Sequence, residues 1–219
     1  MKIIGHRGAR GLAPENTLAG FKAGLAAGVD GIEFDVRVTR DEVPILNHDE
    51  FVPGPRRGKH IIAKCTYKEL KALRPDLLTL DQALGFLQGK TFLYIEIKPG
   101  VNTEPVTDCL RLYLRRNLHA GSFVITSFDF RVLREVKAAL PTAGLGINEK
   151  WSGMRAGRRA RALGTKRIIM NQRWLWPGFI KLMSKSYELS GYTINNPRQA
   201  ERFKAAGLHA AITDVPGKF

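Results

Sequence analysis

The 219-residue chain is 44% hydrophobic and 25% charged, a globular balance that allows one large α/β core. Its formal net charge of +15 draws anions of any kind, but no helix-turn-helix, zinc-finger or aromatic RNA-binding motif accompanies it, so nucleic acid is not the expected partner. No apolar run reaches the roughly 18 residues of a membrane span, and Cys65 and Cys109 show neither disulfide nor metal spacing. A cytoplasmic protein with reduced thiols, at most peripheral to a membrane, is the expectation.

Short apolar runs alternate with helical stretches along the chain: Lys2–Gly5, Gly31–Val36, Phe92–Ile97, Phe123–Ser127, Gly144–Ile147, Arg167–Met170, Tyr192–Ile194 and Ala210–Thr213. Between them, Leu18, Phe21 and Leu25 form one helical face, with Asn16 or Thr17 as cap and Gly28 as stop. Val132, Leu133 and Val136 form a second such face, and Ala200, Phe203 and Ala206 a third. Strand and helix alternating this way imply a parallel sheet, and eight such strands imply a closed (β/α)₈ TIM barrel, a single domain over residues 1–219. Val43–Leu46 follows Val36 too closely for a parallel crossover, so it is expected to form a hairpin extension after the second strand, turning near Arg40-Asp41-Glu42. Residues 49–65, rich in Pro, Gly and Arg, are expected to be a surface excursion.

Two of these strands carry charge where a barrel interior usually holds Val, Ile and Leu. In "GIEFDVRVTRDEVPILNHD", residues 31–49, Glu33 and Asp35 share one face and Ile32, Phe34 and Val36 the other. The hairpin then returns His48 to the rim the two acids occupy, with Asp49 beside it either orienting the ring or capping the next turn. In "FLYIEIKPG", residues 92–100, Glu96 and Lys98 face the axis in the same way. Glu33, Asp35 and Glu96 together make a hard oxygen site suited to one divalent cation, Mg²⁺ or Ca²⁺, though a buried salt bridge through Lys98 accounts for either strand alone. With Arg7 and Lys98 included, a divalent ion leaves the site one positive charge, enough to match a phosphodiester. At the end of the first strand, "GHRGARGLAPENT", residues 5–17, sets His6 and Arg7 on the rim among glycines that let backbone approach a ligand.

Taken in order, "HRG…PENT", "EFDVRVTRDEVPILNHD", "EIKPG", "SF", "TINN" and "ITDVP" resemble the glycerophosphodiester phosphodiesterase family, densely over residues 4–49 and 91–100 and more sparsely after them. The resemblance implies a TIM barrel and metal-dependent cleavage of glycerophosphodiesters to glycerol 3-phosphate and an alcohol. It also implies His6 and His48 as acid and base, Glu33, Asp35 and Glu96 as metal ligands, and Arg7 and Lys98 as phosphate contacts. Which histidine is the acid, and whether water or a glycerol hydroxyl attacks first, stay open. Where the family has Trp-Thr-Val-Asn this chain has Tyr192-Thr193-Ile194-Asn195, so Tyr192 is expected to form a smaller aromatic wall at the substrate.

Residues 150–185 hold ten Lys or Arg and no acid. Within them, "NQRWLWPGFIKLM", residues 171–183, is too apolar for an ordinary exposed loop. Trp174, Leu175, Trp176, Phe179 and Ile180 either pack under the next helix or form a lip flanked by Arg173 and Lys181. Such a lip would suit a lysophospholipid substrate or an anionic bilayer. A barrel that binds anions without catalysis is the remaining alternative, against which His6 and His48 argue.

Overall fold

The computed structural model describes residues 1–55, 58–116 and 118–219. Eight parallel strands close into a barrel: β1 (Lys2–Gly5), β2 (Gly31–Val38), β6 (Phe92–Ile97), β7 (Phe123–Ser127), β8 (Gly144–Glu149), β9 (Arg167–Asn171), β10 (Glu188–Tyr192) and β11 (Ala210–Thr213). Ile4 opposite Gly31 and Gly5 opposite Ile32 join β1 to β2, while β1 pairs on its other side with β11, so no barrel edge stays open. Helices α1 (Leu18–Ala26), α4 (Glu104–Arg115), α5 (Phe130–Ala139), α6 (Gly153–Leu163), α7 (Pro177–Met183) and α8 (Pro197–Ala205) return the chain from one strand to the next. The connection from β2 to β6 is longer and holds strands β3 (Pro44–Leu46), β4 (Phe51–Pro53) and β5 (Lys59–Ile61) with helices α2 (Tyr67–Leu73) and α3 (Leu80–Leu87).

The hairpin forms as expected. β3 runs antiparallel to β2, with Val36 opposite Leu46 and Val38 opposite Pro44. The excursion is less superficial than its composition suggests: β4 and β5 pair, and Val52 and Ile62 join Ile45, Leu70 and Leu77 in a small core of their own. Arg56 and Arg57, part of that expectation, lie outside the described residues.

Alternation sorts the side chains into two layers. Ile32, Phe34 and Val36 of β2 and Leu93, Ile95 and Ile97 of β6 face the helices, meeting Phe21, Val132, Leu133, Val136, Ala200 and Phe203. Inside, Ile4, Tyr94, Val124, Ile169, Ala210 and Ile212 plug the barrel's lower half. Above the plug the charged residues begin, and Tyr94, Ile169 and Ile212 close the floor of a cleft open to the C-terminal rim.

Two local readings are corrected. The seventh barrel strand is Glu188–Tyr192, not Tyr192–Ile194; Ser190 and Gly191 hide it from an apolar scan, and Ile194 lies beyond it, its N–H donating to Ile212 O at 2.9 Å. Leu18 is largely exposed, so α1 packs on the core through Phe21 and Gly24. Gly28 does end that helix, in the left-handed conformation at φ 74°.

Candidate active site

Charged residues converge at the C-terminal end of the barrel, in a cleft of about 630 Å³ lined by His6, Arg7, Glu33, Asp35, His48, Glu96, Lys98 and Tyr192. All eight side chains singled out by sequence therefore meet in one place. One oxygen from each of Glu33, Asp35 and Glu96 lies within 4.8 Å of the others, and all three residues are buried. Register explains the convergence, because Asp35 stands directly opposite Glu96 on the neighbouring strand.

The three acids differ in their neighbours. Lys98 Nζ donates to Glu96 Oε1 at 2.5 Å and lies 2.6 Å from Asp35 Oδ1. Burial alone would raise the Asp35 carboxyl, but Lys98 and Arg7 outweigh it and hold the group down to about 2. Glu96, buried as deeply, stays above the usual range despite Lys98. Glu33 receives the Arg7 backbone N–H at 2.9 Å, the His6 imidazole Nε2 lies 4.0 Å from its Oε2, and among the described residues no lysine or arginine nitrogen comes within 4.0 Å. Burial, with repulsion from Asp35 and Glu96, pushes its carboxyl well up. An acid cluster with one member left unneutralised is short of positive charge.

That deficit fits a cation. The donor set is all oxygen, as Mg²⁺ and Ca²⁺ prefer. Asn148 adds to it: its Nδ2 donates to Glu96 Oε2 at 3.0 Å, and its Oδ1 is buried with no hydrogen-bond partner. Lys98 pairs with two of the acids but does not reach Glu33, so the buried salt bridge weighed from sequence explains only part of the cluster.

Each histidine is fixed from its Nδ1 side. His6 Nδ1–H donates to Asp214 Oδ1 at 2.6 Å, and Asn195 Nδ2 donates to the other Asp214 oxygen at 2.8 Å. These bonds outweigh burial and keep the Asp214 carboxyl low, so it acts as acceptor and Nε2 of His6 is turned into the cleft. His48 Nδ1 meets Asp49 Oδ1 at 2.8 Å, so Asp49 orients the ring and does not merely cap a turn. Arg37 Nε donates to the His48 carbonyl at 3.0 Å, and Asn47 Nδ2 donates to the Asp49 carbonyl at 2.8 Å, pinning the loop. Burial and then the Lys98 charge lower the His48 pKa.

Arg7 is held by Glu15, which accepts from Nη1 at 2.8 and 3.0 Å, and its Nε lies 3.2 Å from Asp35. Glu15 is a fourth carboxylate that the sequence charge count omitted, and it cancels the spare positive charge that count found. Arg10, Arg37 and Lys150 also line the cleft, along with Asp49 and Glu50, and Arg10 is paired with Glu15 and Asp214. Tyr192 lines the cleft, its ring edge-on to Phe128 with centroids 6.0 Å apart.

Asn16 does not cap α1; Thr17 does, accepting from Gly20 N–H. Asn16 instead grips Asp35 twice, donating from Nδ2 to Oδ2 at 2.9 Å and accepting the Asp35 N–H on Oδ1 at 3.2 Å. Asp214, Asn195 and Asn148 were missed as site residues. "ITDVP" and "TINN" were seen as motifs, but nothing in either tells that they close on His6 across the barrel seam.

The model of the glycerophosphoryl diester phosphodiesterase family matches residues 6–218. A glycerophosphodiester phosphodiesterase of Caldanaerobacter subterraneus subsp. tengcongensis is 29% identical over 234 aligned residues, which cover 98% of this chain and 94% of that one. The fold is shared with an Oleispira antarctica phosphodiesterase solved with the product sn-glycerol-3-phosphate, at TM-score 0.87 and 24% identity over 100% of this chain and 94% of that one. It is shared too with a glycerophosphodiester phosphodiesterase of Agrobacterium tumefaciens, at TM-score 0.82 and 22% identity over 99% of this chain and 97% of that one. With a match running nearly the length of the barrel and through every charged strand end, the chain belongs to the glycerophosphoryl diester phosphodiesterase family and is a phosphoric diester hydrolase.

Proposed function

We propose that this enzyme hydrolyses glycerophosphodiesters to glycerol 3-phosphate and an alcohol, with Glu33, Asp35 and Glu96 holding one divalent cation and His6 and His48 moving the protons. The observation that carries the reading is the convergence of those three carboxylates within 4.8 Å beside both imidazoles in one cleft. When bound, a divalent cation supplies Lewis-acid stabilisation of charge on the phosphoryl oxygens.

The protein's own groups divide the remaining work. His48, whose pKa burial and Lys98 lower, takes at Nε2 the proton of the attacking water as the water oxygen bonds to phosphorus, since its Nδ1 is committed to Asp49. His6, anchored through Nδ1 to Asp214, presents Nε2–H to the departing alkoxide and protonates it as the P–O bond breaks. Arg7 and Lys98 hold the acids in register and add positive potential beneath the phosphate. Tyr192 and Phe128 give the alcohol portion an apolar wall.

The test is release of glycerol 3-phosphate by the purified enzyme with Mg²⁺ or Ca²⁺. Turnover abolished by chelation supports the reading, and no release from any glycerophosphodiester with either ion defeats it. Exposed tryptophans on the same rim favour a second reading, an acylated glycerophosphodiester as substrate. Comparing turnover of glycerophosphocholine with that of its acylated form separates the two.

A further inference from the structure

The catalytic rim carries an aromatic surface that hydrolysis of a small diester leaves unused. All three tryptophans of the chain stand there: Trp151 on the loop after β8, Trp174 in the turn after β9, and Trp176 just before α7. They are 63%, 48% and 62% exposed, and Met154 beside them is 86% exposed. Trp151 and Trp174 meet edge to face with centroids 6.3 Å apart, so the two loops present one surface. Single exposed apolar residues are ordinary, but a cluster of large ones on one rim marks an interaction site.

The frame beneath them is rigid. Buried Glu149 accepts the N–H groups of Lys150 and Trp151 at 2.8 and 2.9 Å, and Arg155 Nε and Nη2 at 2.7 and 2.5 Å. The Phe179 ring occupies the space where a Cβ on Gly153 would sit, 2.4 Å away, locking α7 against α6. Leu175 and Ile180 are buried, not part of the lip, and anchor the segment that carries Trp174 and Trp176. Little ordering entropy remains to be lost when this surface meets a partner.

The surroundings are basic. No acid lies anywhere in residues 150–185. Arg158, Arg173 and Lys181 are exposed, and among the described residues none has a carboxylate within 4.0 Å. Tryptophan favours the headgroup level of a bilayer, and lysine and arginine favour acidic headgroups. Met154 adds aliphatic surface, which suits acyl chains better than stacked bases. We infer that this lip docks the enzyme on an anionic lipid bilayer, with Trp151, Trp174 and Trp176 at headgroup depth and Arg158, Arg173 and Lys181 against the acidic headgroups. Lys150 lines the cleft one residue before Trp151, so the docked surface borders the cleft mouth. The inference rests on this placement and stands whether or not the hydrolysis proposed above is correct.

Because every tryptophan lies in the lip, tryptophan emission excited where tyrosine does not absorb reports on it alone. With vesicles of phosphatidylcholine plus phosphatidylglycerol, the emission should shift to the blue and the protein should co-sediment; vesicles of phosphatidylcholine alone should do neither. Each cation at an anionic surface is worth about fivefold in partitioning, so Arg158→Glu with Arg173→Glu should weaken binding by more than about tenfold. Trp174→Ala with Trp176→Ala should also weaken it about tenfold or more. Both pairs should keep the wild-type melting temperature and circular dichroism. An absent blue shift on anionic vesicles overturns the inference. So does undiminished binding of the tryptophan pair, which would mean adsorption by net charge alone, or a shift produced by single-stranded nucleic acid and not by vesicles.

Discussion

At His6 the decisive contact is the 2.6 Å bond from Nδ1 to Asp214, which comes from the last strand–loop junction of the barrel. It sets the tautomer and aims Nε2, so Asp214→Asn should lower kcat by on the order of tenfold to a hundredfold with KM nearly unchanged. An unaltered kcat would reduce Asp214 to a structural role. His6→Ala and His48→Ala should each cost roughly 10²–10⁴ in kcat, while circular dichroism and melting temperature hold; a near-normal rate in either refutes the acid–base assignment. Glu33 behaves oppositely to Asp35. Burial and like charge raise its carboxyl, so the metal-free fold keeps a proton there that the unfolded chain has lost. The resulting stability is complete below the unfolded carboxylate value, near 4.3, and drains as pH rises through the raised folded value. Asp35, held down at about 2, contributes stability that is lost only in strong acid. Glu33→Gln should therefore raise the melting temperature of the metal-free protein at pH 8 and flatten its fall between pH 5 and 8. A difference in melting temperature between Glu33→Gln and the wild type that does not grow from pH 5 to pH 8 would contradict this.

Among the elements, the β2–β3 hairpin does the positioning. It carries His48 from a strand in the barrel wall back to the rim, and Leu46, fully buried opposite Val36, seats it in the outer core. Leu46→Ala should cost about 2–5 kcal/mol, read as a lower denaturation midpoint, and should depress kcat, because the hairpin that returns His48 to the rim is seated through this side chain against β2. The hairpin was legible because six residues cannot make a parallel crossover, and the acid face because side chains on a strand alternate. β10 was not, since its middle, Ser190-Gly191, buries backbone and small side chains that leave no hydrophobic signature. Asn16 reads in sequence as a helix cap because that is what Asn before a helix usually is; only the closed barrel brings β2 within reach of its amide. Trp151 is illegible in sequence for a similar reason, since it stands alone there and joins Trp174 only through the fold. Contacts within one strand or hairpin can thus be read from spacing, whereas those across the seam, such as His6 with Asp214 at a separation of 208 residues, cannot.

For the whole molecule, the buried acids make ion binding and folding one equilibrium. Three carboxylates gathered from two strands repel each other more in the folded chain than in the unfolded one, so an ion that binds only the folded cluster would stabilise the fold by mass action, in proportion to the logarithm of its concentration over Kd. Among the described residues no helix is long and apolar enough to cross a membrane. At a free concentration of 100 times Kd the gain is about 2.7 kcal/mol, which for a chain of this size is a rise of about 5–10 °C. The ion must displace the proton that burial favours on Glu33, so its affinity, and with it the rise at a fixed concentration, should be larger at pH 8 than at pH 5.5. Chelation should return the melting temperature to the metal-free value at both pH values, and Glu33→Gln should lose most of the rise. Melts of the wild type that do not respond to Mg²⁺ or Ca²⁺ at pH 8 would mean that Lys98 and Arg7 already satisfy the cluster, and that the carboxylates hold the barrel rim together without an ion.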